Sequence, residues 1–183
     1  MSTAGRVFAA TPRGGERAAR CLDGVDGDGI FLDVGAANGL LLESLVMWGA
    51  ERRWRIDPWG VDTSAALVAL ARDRLPRWAD RFAVGDGRTW SPPGGRRFDA
   101  VRSELGYVAD TDQERFARRL LDDLVAPGGR LIICSYLSTR IATSEPPSPA
   151  EEIRGWGWDV AGEAAAIDPW TGKVFTRIAW VSR

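Results

Sequence analysis

Acids with small neighbours recur at the ends of apolar runs in this sequence. Asp33 stands just before the turn Gly35, Ala36, Ala37, Asn38, Gly39; Asp62 precedes Thr63; Asp86 lies between Gly85 and Gly87; and Ser103, Glu104 and Tyr107 follow the run Phe98 to Arg102. A carboxylate can accept two hydrogen bonds from neighbouring hydroxyls, and glycine lets backbone and ligand approach closely. Asp62 falls 23 residues beyond Gly39, the interval at which an acid can hold a ribose. A turn of small residues opening a helix presents backbone N–H groups and a positive dipole end to a ligand. Singly, each acid reads as a turn or cap residue. Four such ends in order read as a nucleoside-binding crevice, with acids for the sugar and the base.

The composition removes several competing chemistries. The chain has no histidine, which excludes a Ser-His-Asp triad, a Cys-His pair, a histidine base and histidine-ligated zinc within it. Cys21 and Cys134 are too few and too far apart for a metal site or a disulfide framework; Cys134, inside an apolar strand, reads as a buried thiol. The dinucleotide fingerprint fails, because Ala37 and Leu40 stand where its second and third glycines belong. No Gly-Lys-Ser/Thr sequence offers a phosphate loop. The ligand therefore need not carry phosphate, and an acid-rich crevice suits a cationic one. A formal net charge of −1 provides no basic field, against a dedicated nucleic-acid binder. No apolar run reaches the roughly 20 residues of a membrane span, and the N-terminus lacks the apolar centre of a secretory signal. The expectation is a cytoplasmic protein with no membrane partner.

The elements that must position these residues alternate. Ile30 to Val34 is a strand, followed by a helix from about Asn38 to Trp48 with Leu41, Leu42, Leu45 and Val46 inward. A second strand runs from Pro58 to Asp62, and Thr63 or Ser64 caps a helix buried through Leu67, Leu70, Ala71 and Leu75. Arg81 to Val84 is a third strand and Phe98 to Arg102 a fourth. A helix from Asp112 to Val125, with Phe116, Leu120, Leu121 and Leu124 inward, ends at the turn Ala126 to Gly129. Leu131 to Tyr136 is a fifth strand. Ser138 to Ala150 reads as a loop; Trp156 to Ala165 and Val174 to Val181 read as a hairpin turning at Asp168 to Gly172. Residues 1–28 read as an extension or a lid. At 183 residues this is one α/β domain, with a core at 30–136 and a hairpin at 156–182.

In order and spacing, these segments resemble the class I S-adenosylmethionine-dependent methyltransferases. DVGAANG is similar to their first motif, Asp/Glu-x-Gly-x-Gly-x-Gly, with Ala37 replacing the middle glycine. WGVDTS resembles their second-strand acid motif, VGDG their adenine-side motif, RRFDAVRSEL their fourth strand, and LLDDLVAPGGRLIICSY the helix, turn and fifth strand that follow. The resemblance implies a Rossmann-like fold: a mostly parallel seven-stranded sheet, helices on both faces, and an antiparallel C-terminal hairpin. It implies S-adenosyl-L-methionine as cofactor and S-adenosyl-L-homocysteine as product. Asp33, Gly35, Ala37 and Gly39 would line its methionine end, Asp62 would hold the ribose with Thr63 beside the adenine, and Asp86 and Gly87 would meet the adenine. Ser103 would lie beneath the amino group and sulfonium.

Methyl transfer from a sulfonium is an in-line displacement that needs alignment and exclusion of water, not histidine or metal. Where the acceptor must lose a proton, Glu104 and Tyr107 stand nearest as candidate catalytic groups; Asp110 and Asp112 read as helix caps. Trp156, Trp158 and Trp170 can stack on a flat acceptor or simply pack the hairpin, and Arg140 can pair with an acidic substrate or be solvated. The expected activity is methylation of a small molecule. The alternatives are a non-catalytic cofactor-binding or assembly module and a protein or nucleic-acid methyltransferase; the Asn/Asp-Pro-Pro-Tyr/Trp motif of amino-group nucleic-acid methyltransferases is missing, since SELGY stands in its place. A nicotinamide oxidoreductase is disfavoured by the failed fingerprint.

Overall fold

The computed structural model describes residues 22–25, 27–136, 145–167 and 172–183. Their strands form one sheet: β1 (Gly29–Val34), β2 (Ile56–Asp62), β3 (Phe82–Val84), β4 (Phe98–Glu104), β5 (Val125–Tyr136), β6 (Gly162–Ile167) and β7 (Val174–Ser182). The order is β3-β2-β1-β4-β5-β7-β6. Strands β1 to β5 pair in parallel, whereas β7 is antiparallel to both β5 and β6. The chain winds outward from β1 to β3, then restarts on the other side of β1 with β4. The boundary between β1 and β4 is thus the switch point at which such sheets bind ligands.

Helices cover both faces, as the two-sided apolar runs require. Phe31 packs with Leu42 and Leu45 of α1 (Leu40–Glu51) and with Val68 and Ala71 of α2 (Ala65–Arg74). Leu32 and Val34 face the other way, toward Phe116 of α3 (Gln113–Arg119) and Ile153 of α4 (Pro149–Gly155). After α3 the helix widens into one π turn, Leu120–Leu124, whose Leu120 and Leu124 are buried.

Local chemistry sets the element ends. Ser64 caps α2, its hydroxyl accepting from the Leu67 N–H at 3.3 Å. The buried face of that helix is Val68, Ala71 and Leu75; Leu70, expected inward, is 53% exposed. At about 100° per residue Leu70 points well away from both Val68 and Ala71. Pro58 lies inside β2, not at its start, and is tolerated because β3 pairs with β2 only from Gly60 onward.

Three further expectations are revised. Strand β4 continues to Glu104, so Ser103 and Glu104 are its last residues. The stretch Ala126 to Gly129 is an irregularity within β5: pairing jumps from Phe98 opposite Val125 to Ala100 opposite Arg130. In the tail, Trp156 to Ala161 is not strand. Helix α4 precedes it, begun by Ser148, whose hydroxyl accepts from the Glu151 N–H, so the expected loop gives way to a helix at its end. The hairpin of β6 and β7 forms as expected; its turn, 168–171, and the loop at 137–144 lie outside the described residues.

Candidate functional site

The carboxyl ends of β1, β2 and β3 open on a cleft of about 470 Å³, lined by Gly35, Ala37, Asp62, Thr63, Asp86, Gly87 and Tyr107, with Phe116 and Tyr136 as further walls. Asp62 organises its floor. One carboxylate oxygen accepts from the Ala37 N–H at 2.9 Å and the other from the Ser64 N–H at 2.8 Å, tying the first loop to the start of α2. Each oxygen retains a second lone pair for a hydroxyl donor. Ala37 adopts φ +47, a left-handed conformation that costs a side-chain-bearing residue roughly 1–2 kcal/mol. Gly35 is at φ +85, and a Cβ there would lie 2.4 Å from the Tyr107 ring. A Cβ on Gly87 would lie 2.4 Å from Val34 Cγ1. These two glycines let backbone line the cleft where no side chain fits.

Asp86 faces the same space with its carboxylate held by Arg88, which donates from its backbone N–H at 2.8 Å and from Nε at 2.9 and 3.0 Å. Those Arg88 hydrogen bonds pull the Asp86 carboxyl below its ordinary value. Gly39 does not line the cleft. It precedes α1 at φ +74, and a Cβ there would sit 3.1 Å from Ala71 Cβ, so its smallness serves helix packing.

Beside the cleft lies a buried charge network that sequence reasoning missed at its centre. Arg102, buried on β4, donates to Asp33 Oδ1 at 3.1 Å and also to Glu104 Oε1. The Tyr107 hydroxyl donates to the same Glu104 oxygen at 3.2 Å. Asp33 is 1% exposed and does not line the cleft; burial raises its carboxyl above the ordinary value even with Arg102 adjacent. Desolvation raises the Tyr107 phenol above its usual range, and its hydroxyl is a donor to Glu104. Asp33 and Arg102 are register partners across β1 and β4. The only one-dimensional signal for the pair is that each sits at the end of an apolar run.

A second cavity, of about 530 Å³, adjoins the cleft across Tyr136, which lines both. Its described walls include Glu104, Asp110, Gln113, Ile133, Cys134, Glu152 and Trp156. Ser103 is fully buried and its hydroxyl has no hydrogen-bond partner; it lines neither space, but its register partner Ile133 lines the second. Asp110 accepts from the Gln113 side-chain amide at 3.1 Å. Asp112 takes the N-cap position of α3 without a side-chain cap bond, and pairs with Arg115 instead. Trp156 stands edge-on to Trp158, and Trp158 packs under Arg118 of α3. Trp170 and Arg140 lie outside the described residues. No group of metal-ligating side chains occurs among the described residues, and no helix there is long and apolar enough to cross a membrane.

Comparison with known proteins is consistent with this geometry. A methyltransferase-domain family model matches residues 31–129, from β1 into the irregular stretch of β5. A trans-aconitate 2-methyltransferase of Methylobacterium radiotolerans is 39% identical over 74 residues, covering 40% of this chain. The chain spans about a quarter of that relative's length, 26%. Among solved structures, a glycopeptide N-methyltransferase complexed with (S)-adenosyl-L-homocysteine superposes with a TM-score of 0.67 at 16% identity, covering 91% of this chain and 88% of its own. A didemethyltoxoflavin N1-methyltransferase of Burkholderia thailandensis gives 0.65 at 18% identity, over 92% of this chain and 78% of its own.

Proposed function

This chain belongs to the methyltransferase-domain family, and we propose that it binds S-adenosylmethionine in the cleft above β1, β2 and β3 and transfers its methyl group to a small molecule in the adjoining cavity. The observation that carries this reading is the pair of spaces meeting at Tyr136, one lined by the four predicted nucleoside contacts Asp62, Thr63, Asp86 and Gly87, the other closed by a different set of elements.

The residues of the cleft fit the cofactor. Asp62 keeps a free lone pair on each oxygen for a ribose hydroxyl. Gly87 and the apolar ring of Phe116 lie together on the cleft wall, a surface for a purine, with Asp86 beside them as acceptor. Gly35 offers bare backbone to the methionine portion. Asp33, enclosed and paired to Arg102, acts there as a positioning residue.

When bound, the cofactor supplies a methyl group activated by its sulfonium, so that the acceptor's lone pair forms the new bond to carbon while the sulfur keeps the pair of the breaking S–C bond. The protein's part is alignment and dryness. Glu104, held by Arg102 and Tyr107 at the border of the two spaces, is the group positioned to take a proton from the acceptor; Tyr107, neutral, fixes the orientation of that carboxylate.

S-adenosylhomocysteine at about 100 times its Kd should add roughly 2.7 kcal/mol, raising Tm by about 5–10 °C for a chain of this size. Asp62→Ala should lower the basal Tm, since it releases the Ala37 and Ser64 N–H groups, and should abolish that ligand-induced rise. Wild-type affinity of the Asp62→Ala variant by calorimetry, or a rise with NAD in place of S-adenosylhomocysteine, would sink the assignment.

A further inference from the structure

We propose that the second cavity takes a cationic amine carried on an aromatic or apolar body; this rests on the reading of the first cleft as the methyl donor's site. The described wall carries three carboxylates, Glu104, Asp110 and Glu152, and no lysine or arginine. The chain has no histidine to add a cation. Arg102 does not neutralise this wall, because its one charge is shared between Glu104 and Asp33. Among the described residues, the Asp110 carboxylate accepts from the neutral side-chain amide of Gln113. An ammonium entering here meets carboxylates from three elements: the end of β4, the turn before α3, and α4. A carboxylate ligand is repelled by the same three groups.

The apolar part of the ligand has its own partners. Trp156 and Tyr136 line the cavity with aromatic surface, which attracts both a cation and a flat ring.

The same arrangement deals with the proton. An ammonium has no lone pair, so one N–H bond must break before nitrogen attacks. Glu104 accepts that proton, the freed pair forms the N–CH3 bond, and the departing sulfur retains the pair of its S–C bond. The trans-aconitate named for the relative is a tricarboxylate, the opposite in charge of what this wall favours.

The test uses the full chain saturated with S-adenosylhomocysteine and a matched set of probes: benzylamine, phenethylamine and tryptamine, the carboxylates phenylacetate and indole-3-propionate, and trans-aconitate. Binding is followed by calorimetry and by chemical shifts of the Trp156 indole. At least one amine should bind about tenfold more tightly than its carboxylate counterpart, and the difference should shrink with salt. Glu152→Gln and Asp110→Asn, both at exposed positions, should each weaken the amine severalfold and leave S-adenosylhomocysteine affinity unchanged. Tighter binding of the carboxylates or trans-aconitate, binding of no amine, or amine affinity indifferent to both variants would overturn the proposal. Failure of S-adenosylhomocysteine itself to bind would instead overturn the reading on which it rests.

Discussion

At the scale of single residues, Arg102 decides the character of the site. It is the one cation between two enclosed carboxylates, Asp33 and Glu104, and removing a partner from a buried ion pair costs about 3–5 kcal/mol because a charge is left uncompensated. Arg102→Met should therefore destabilise the fold strongly, and the loss should depend on pH. The Asp33 carboxyl is already raised above its unfolded value by burial, so what protonation contributes to stability is fully present below about pH 4 and is lost as pH rises through the folded value. Without Arg102 that penalty grows, making the deficit of the variant larger at pH 7 than at pH 4 in urea unfolding. Equal deficits at the two pH values would show that Asp33 carries no charge in the native protein. The residues that line the proposed cofactor cleft were legible in the sequence because each terminates an apolar run. The network was not, because 69 residues separate Asp33 from Arg102 and only strand register brings them together. The family resemblance made Asp33 a candidate cofactor contact; in the fold it is buried off the cleft wall and paired with Arg102.

At the scale of elements, α4 is the instructive case. Ser148, Pro149 and Ala150 read as the end of a polar, Pro-rich loop, yet with Glu151 they form a helix start: a serine N-cap, proline at the first helical position, and glutamate at the third. Proline was weighed as a breaker when its position made it an initiator. The strands that build the sheet were legible because their apolar runs alternate with helical stripes, and even the tail hairpin was; its first strand begins later than expected because α4 and the segment after it occupy the earlier residues. This helix also supplies Pro149 and Glu152 to the second cavity, with Trp156 at its C-cap. Ser148→Ala should cost about 1 kcal/mol, a fall in Tm of roughly 2–4 °C. It should weaken probe amines at the second cavity and leave S-adenosylhomocysteine affinity unaltered. An unchanged Tm would mean that the cap contributes nothing, and an unchanged amine affinity that α4 does not shape the cavity.

At the scale of the whole molecule, the winding order places function and stability at different depths of one sheet. β1, β4 and β5 are each flanked by strands on both sides and by a separate apolar core above and below, so exposing their amides requires opening the sheet. β3, three residues long, and β6 are its edges. The proposed cofactor cleft straddles this gradient: Val34 ends and Gly35 follows the deep strand β1, whereas Gly85, Asp86 and Gly87 follow the edge strand β3. A ligand joining the two ends should therefore stabilise the edge out of proportion to the centre. Native-state amide exchange should be slowest at Leu32, Val101 and Ile132, and much faster at Ala83 and Ala165. Saturating S-adenosylhomocysteine should slow exchange most at Val84 to Thr89 and in the loop from Gly35 to Gly39, and hardly at all in β6. Protection spread evenly over the sheet, or concentrated at β6, would mean that the ligand does not bridge the deep and edge strands, and the cleft would lose its claim to the nucleoside.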